Sequence, residues 1–247
     1  MASEIGQVEA IFRYPVKSMA GEQLEAAELG WHGVEGDRRL ALRRLEDRSA
    51  FPWLSASRLP ELLRYSPVRR DTQSDGDVAY SIRTPNGELL DAFGETLAAE
   101  ISSKLGSPVQ MMQLKHGVFD EASVSIIAPD TISEIGRLAG RELDVRRFRP
   151  NIVIRLLQPA AFAEDGWVRG SLSFGAKPDA AAVAVTLRDL RCSMINLDPD
   201  SSQSAPEVMK AVVRVHQNTA GVYGAVVRAG HLEVGQTVLL HPASVRG

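Results

Sequence analysis

NIVIRL (151–156), SLSF (171–174), AVAVTL (182–187), SMINL (193–197), VYGAVVRA (222–229) and TVLLH (237–241) follow one another down the second half of the chain. Each run is short and rich in Val, Ile, Leu or Tyr, and Pro, Gly or Asp breaks one from the next. That is the composition of strands separated by tight turns. Few helical segments alternate with them, so the pattern predicts a barrel or curled sheet and not a parallel βαβ fold. AGHLEVGQTVLL (229–240) reads as a two-strand barrel return with glycine at its turns. Upstream, SVSIIAPDTISEIGRLAG (123–140) reads as a strand or loop feeding a helix. Its apolar face is Ile132, Ile135 and Leu138 or Ala139, and Gly140 is its stop.

The first half is strand-rich as well. VEAIFRYPV (8–16), GEQLEAAELG (21–30) and DRRLALRRL (37–45) have strand character. A brief helix is expected at 60–63, behind Pro60. DVAYSIRTPNGELLD (77–91) is a hairpin turning at Pro85-Asn86-Gly87. Leu97, Ile101 and Leu105 then repeat at helical spacing up to Gly106, and VQMMQLKHG (109–117) returns to strand. We expect a mixed α+β chain, mainly β with a few helices, in two units: a smaller strand-rich unit over 1–110 and a barrel over 111–247. RRDTQSDGD (69–77) and DPDSSQSAP (198–206) are polar loops and the candidates for mobile surface.

Composition narrows the function classes. The chain has 247 residues, 44% hydrophobic and 24% charged, which excludes a wholly disordered or fibrous chain. Its 28 basic and 31 acidic residues give a net charge of −3, so no nucleic-acid partner is expected. A single cysteine, Cys192, excludes an intrachain disulfide and a cysteine-rich zinc or iron–sulfur site. It points to a reducing, cytoplasmic setting. MASEIGQVEAIF (1–12) has no basic stretch before an apolar run, so no secretion signal is expected. No window offers the roughly 18 apolar residues of a membrane span.

Chemistry gathers in a few places. In LRDLRCSMINLDPD (187–200), Cys192 follows Arg188 and Arg191. Guanidinium groups beside a thiol favour the thiolate, the form that attacks or binds metal. A soft thiolate also suits a metal whose other ligands come from an organic cofactor. VRRFRPNIVI (145–154) offers Arg146, Arg147, Arg149 and Asn151; Pro150 holds Arg149 in an extended or turn state, ready for bidentate contact with an anion, and Asn151 adds a directional amide. Lys17 and Ser18 sit in a turn before Gly21, and Arg38 follows Asp37 in GVEGDRRL (33–40). Arg38 either pairs with Asp37 or faces the same anion as Lys17. GxSxG, HExxH, GxGxxG and the P-loop pattern are absent. The five histidines show no metal-ligand spacing, and a Cys192 hydrolase would need a histidine beside it in space, for which His216 is no more than a weak candidate.

In order and spacing these segments resemble the MOSC-domain proteins, the family of the molybdenum cofactor sulfurase C-terminal domain, with their N-terminal β-barrel companion. YPVKSMAG (14–21) and GVEGDRRL resemble the companion domain. FDEASVSIIAPDTISEI (119–135), RRFRPNIVI (146–154), FAEDGW (162–167), LRCSMINLDPD (190–200) and VYGAVVRAGHLEVGQTV (222–238) resemble the MOSC domain. The resemblance implies a MOSC β-barrel core and binding of the molybdenum cofactor, molybdopterin. It makes Cys192 the catalytic residue and protein ligand to molybdenum, or else the acceptor of sulfur. Lys17, Ser18, Arg38, Arg149, Asn151, Arg191 and Asp198 become the cofactor-binding set, with Asp198 orienting its loop or a basic neighbour. Two departures stand out: Met19 and Ala20 follow the Lys-Ser pair, and Asp200, Ser201 and Ser202 follow Pro199 where the family often has Thr-Gly. No fused iron–sulfur domain and no PLP-dependent desulfurase domain is expected in this chain.

The resemblance to the amidoxime-reducing branch implies an oxygen-transfer reductase for N-hydroxylated or similar small substrates, with electrons from a separate protein. The alternative is a sulfur-carrier or cofactor-binding module with a Cys192 persulfide supplied by a sulfur-donor protein and no turnover of its own. A third reading is a scaffold that keeps only a structural or regulatory role.

Overall fold

The computed structural model describes residues 2–70, 79–119 and 121–243. Of the polar loop expected at 69–77, residues 71–77 lie outside them. The chain opens with β1 (Ser3–Arg13), β2 (Glu22–Leu24), β3 (Ala26–Gly30), β4 (Gly33–Val34) and β5 (Leu40–Arg44). A 3-10 turn at Pro60–Arg64 leads to β6 (Ser66–Arg70), β7 (Ala79–Arg83), β8 (Leu89–Asp91), α1 (Glu95–Leu105) and β9 (Val109–Gln113). Then come β10 (Val124–Ile127), α2 (Pro129–Ala139), β11 (Ile152–Leu156), β12 (Ser171–Phe174), β13 (Ala182–Leu190), α3 (Pro206–His216), β14 (Thr219–Arg228), β15 (Gly230–Glu233) and β16 (Thr237–His241). The fold is mixed α+β and mainly β, as the alternation of short apolar runs and turns predicts.

Most elements have local causes. Gly106 and Gly140 end α1 and α2 in the left-handed conformation that a side chain resists. Helix α3 has no counterpart among the sequence expectations. Pro206 in its first turn and the buried Val208, Ala211 and Val212 are the marks that reveal it. SMINL, expected as a strand, is instead a 3-10 turn at Ser193–Asn196, closed by bonds from Ile195 N–H to the Cys192 carbonyl and from Leu197 N–H to the Met194 carbonyl. A short apolar run carries too little period to separate these outcomes.

The barrel runs β11-β10-β14-β13-β12-β16-β1 and closes by pairing β1 with β11, so seven strands form the ring and β2 hangs outside it on β1. All barrel pairs are antiparallel except β10 with β11. Alternate residues point inward, and Val8, Ile126, Ile154, Phe174, Val183, Val222 and Val238 fill the ring. On the outer face Phe12, Ile127 and Val153 pack under α2 and α3. Register shifts bend the ring: two in β1, between Glu4 and Gly6 and between Val8 and Ala10, and three along β13–β14, the last between Arg188 and Leu190. Gly221, at φ +74°, lets β14 lie against β10; a Cβ there would stand 2.5 Å from the Ile126 carbonyl oxygen.

The units expected at 1–110 and 111–247 exchange strands. β1 completes the barrel, and β15 leaves it to join β3 and β4 in a three-stranded sheet. The 229–240 segment is therefore a barrel return only in its second half, β16. The rest of the first half has its own core, in which Leu42, Leu62, Tyr65, Ile82 and Leu97 are buried between the β5–β9 pair, the β6-β7-β8 sheet and α1. No helix among the described residues is long and apolar enough to cross a membrane.

Glu164 shows how a buried charge is used in this frame. It is fully buried and caps the start of α2, accepting from Ala128 N–H at 2.7 Å and from the Thr131 hydroxyl at 2.8 Å. Burial pushes its carboxyl above the usual range, and these bonds oppose the push only in part. The folded chain thus holds this proton more tightly than the unfolded chain. Its contribution to stability is greatest below the ordinary carboxylate pKa and is lost as pH rises through the raised folded value. Glu164→Gln is expected to remove that slope, and Glu164→Ala to cost about 1–3 kcal/mol by orphaning the Ala128 donor. Urea unfolding over a pH series checks both; parallel wild-type and Gln profiles would contradict the assignment.

Candidate functional site

Three chain segments meet at one cleft. β13 runs out at Leu190, and the chain continues extended through Arg191 and Cys192 (φ −104°, ψ 175°) into the 3-10 turn. The turn at Val145–Arg147 delivers Phe148 and Arg149 just before β11, and the chain after β1 brings Lys17 and Ser18. Together they line an open cleft, with Arg38, Ser125, Asp189 and Tyr223 among the other walls. The Cys192 side chain is exposed at this cleft. Ser18, Arg38 and Arg149 all hold left-handed backbone, at φ +67°, +51° and +49°. Non-glycine residues in this region are strained, and such strain collects at binding sites. Arg149 before Pro150 thus takes the turn form and not the extended one.

The cations are held in place. Asp37 is fully buried, accepts from Tyr14 N–H at 2.7 Å and pairs with Arg38. Arg38 also donates to the Arg149 carbonyl at 3.1 Å and approaches the Asn151 side-chain oxygen at 3.4 Å. Burial alone would lower the Arg38 pKa, but Asp37 and then Tyr14 more than offset it, so the net shift is upward. Arg149 donates to the Met19 carbonyl at 2.7 Å. Its guanidinium stacks on Tyr14 at 4.1 Å, as Arg38 does at 5.0 Å. Lys17 is buried, with its ammonium 5.1 Å from the Phe51 ring centroid. Arg191 pairs with buried Asp189 at 2.8 Å and donates to the Phe148 and Ala220 carbonyls. Asp189 in turn accepts from Ser125 Oγ at 2.8 Å.

Residues 113–239 match the family model of the MOSC domain, and residues 5–93 match that of the MOSC N-terminal beta barrel domain. The chain belongs to the MOSC domain family. Membership associates it with molybdenum cofactor chemistry. No curated protein matches the chain. Among solved structures, the YuaD protein from Bacillus subtilis is similar in fold, with a TM-score of 0.54 and 14% identity over 99% of this chain and 100% of that one. YiiM from Geobacillus stearothermophilus aligns at TM-score 0.39 and 18% identity over 50% of this chain and 56% of that one. A hypothetical protein aligns at TM-score 0.44 and 10% identity over 96% and 68%.

Within this MOSC chain the residues singled out by sequence separate into groups. Cys192, Lys17, Ser18, Arg38, Arg149 and Arg191 line the cleft. Asn151 stands behind it, buried, and ties three barrel strands together. It accepts from Ser125 N–H at 3.1 Å and donates to the Phe12 carbonyl at 3.3 Å. Asp198 is not a wall of the cleft but organises the following loop: one oxygen accepts from Ser201 N–H and Oγ, both at 2.9 Å, and the other from Arg147 at 2.8 Å. Burial works against its ionised form, yet these donors and the charge of Arg147 hold its pKa below the usual range. Asp200, in the departing segment, pairs with Arg146 at 2.7 Å, so that loop is closed by its own bonds.

Arg188 does not sit beside the thiol as its place in sequence suggests. It reaches Asp165 at 3.4 Å and Gln217 at 3.2 Å, because the register shift after it turns neighbouring side chains apart. His216 is stacked on Phe162 and bonded to Asp165 and the Thr219 carbonyl, outside the cleft, so no Cys–His hydrolase pair forms there. The residues that sequence reasoning missed are Ser125, Asp189 and Tyr223. Arg147 stands in the quoted arginine run, but only the fold shows that Arg146 turns to Asp144 and Asp200 while Arg147 turns inward.

Proposed function

We propose that the chain holds the molybdenum cofactor in this cleft and works as an oxidoreductase, removing oxygen from N-hydroxylated or similar small molecules with electrons from a separate protein. One observation carries the reading: an exposed Cys192 thiol shares a cleft with Lys17, Arg38, Arg147, Arg149 and Arg191, against the single lining carboxylate of Asp189. The donor set fits a phosphorylated organic molecule bearing a metal. Its cations and N–H groups suit phosphate and pterin, and its one soft ligand suits molybdenum. Arg147 Nε is buried without a hydrogen-bond partner, as expected of a donor built for a ligand acceptor. Among the described residues no cluster of His, Cys, Asp and Glu could hold a metal unaided, so further ligands must come from the cofactor.

Lys17, Arg38 and Arg149 would neutralise the phosphate, and Ser18 would add a directional hydrogen bond. The Asp189–Arg191 pair would fix the strand end that carries Cys192, Asn151 would lock the strands behind it, and Asp198 would fix Arg147. When bound, the cofactor supplies two-electron redox chemistry at molybdenum. A single reduced cysteine fits the cytoplasm. The test is metal and pterin analysis of the chain made in a host that synthesises the cofactor. Molybdenum and pterin equimolar with protein are expected, and absence of both overturns the reading. The exposure of Cys192 favours one second reading, a sulfur carrier. There a desulfurase persulfide passes its outer sulfur to the Cys192 thiolate and is left as a thiol. Mass spectrometry after incubation with a desulfurase and cysteine separates the two, because absence of added sulfur on Cys192 removes the carrier.

A further inference from the structure

A second, open chamber shares Arg149 with the Cys192 cleft. Its walls include Tyr14, Leu63, Arg64, Arg83, Thr84 and Pro85 from the first half of the chain and Arg149 from the second. Two of these residues carry a buried hydroxyl without a hydrogen-bond partner: Tyr14 OH and Thr84 Oγ1, on residues 1% and 4% exposed. Buried polar atoms are almost always satisfied, so two orphans in one chamber wall mark donors kept for something that enters. Burial pushes the Tyr14 phenol up to about 12 against the pull of Arg149 and Arg38, so it remains a protonated donor near neutrality. Arg64 and Arg83 bring guanidinium groups with no ion-pair partner among the described residues, whereas the charge of Arg146 is already met by Asp144 and Asp200. Leu63 and Pro85 give the chamber an apolar side.

We propose that this chamber is a second binding site, for a small anion whose carboxylate or phosphate meets Arg64 and Arg83 and whose acceptor atoms take the Tyr14 and Thr84 hydroxyls. The site goes beyond the cofactor cleft and does not require it. Guanidinium groups supply the charge recognition, and the hydroxyls exchange an unsatisfied state for a bonded one when the ligand enters.

Calorimetric titration of the full chain with inorganic phosphate and, separately, with benzoate tests it. Saturable binding of phosphate alone identifies a phosphate site; binding of benzoate identifies a carboxylate on an apolar body against Leu63 and Pro85. In either case Thr84→Val and Arg83→Gln are expected to weaken the bound probe about tenfold each. Thr84→Val without ligand should melt at or above the wild-type temperature, because it removes an unsatisfied hydroxyl and keeps the shape. Lys17→Ala and Cys192→Ala should bind the probe as wild type does. Failure of both probes to saturate overturns the proposal. So does retention of affinity in Thr84→Val and Arg83→Gln with loss in Lys17→Ala, which places the anion in the Cys192 cleft. The molybdenum content of Thr84→Val should equal that of wild type, so failure of the cofactor reading shows separately.

Discussion

Cys192→Ala is expected to fold as wild type does and to lose its molybdenum to background. The side chain is exposed at the end of β13, and its removal opens no core cavity. Stability should therefore stay within about 0.5 kcal/mol, the usual range for a surface change. The groups proposed to hold phosphate and pterin are untouched: Arg38 remains on Asp37 and Arg149 on the Met19 carbonyl. Pterin should persist at a reduced level while metal and any reductase activity vanish together. Metal analysis beside pterin fluorescence on the same preparation reads this directly. Molybdenum at the wild-type level in the variant would remove Cys192 from the ligand set, and equal loss of pterin and metal would show that the thiol anchors the whole cofactor.

Asp37→Ala should be the most destabilising single change at the site. It leaves the largely buried Arg38 without its carboxylate and removes the acceptor of Tyr14 N–H. Breaking one partner of a buried ion pair costs about 3–5 kcal/mol, because the remaining charge stays desolvated. The double change Asp37→Ala with Arg38→Met should recover much of that loss, since no stranded charge remains, yet should not recover cofactor. Urea unfolding of the single and double variants measures the coupling. Additive losses would mean that the two side chains stabilise the fold independently. The position also links fold to site: the carboxylate that anchors the end of β1 through Tyr14 also aims a cleft cation.

Much of this protein was written locally. Ile132 and Ile135 at helical spacing, with Gly140 behind them, define α2 and its stop. The short apolar runs from Ile152 to His241 supply β11, β12, β13, β14 and β16 of the ring. The lone thiol and the cations Lys17, Arg38, Arg149 and Arg191 could be named before any coordinates, because residue chemistry survives without geometry. Each of these features depends on dihedral preference, side-chain period or side-chain type, all properties of a few consecutive residues.

The tertiary structure decided what depends on distant pairing. The sequence does not say that β1 closes a ring by lying against β11 and β16, or that β15 deserts that ring for β3. It does not separate Arg147, which lines the cleft, from Arg146, or Arg191 from Arg188. The strand outcomes follow from register, because in a strand a shift of one residue sends a side chain to the opposite face, while the 3-10 turn at Val145–Arg147 sends Arg146 and Arg147 different ways. A local reading specifies which groups are available. Which of them meet is set by strand pairings between residues far apart in the chain, where the free energy of burying a shared core outweighs any local preference.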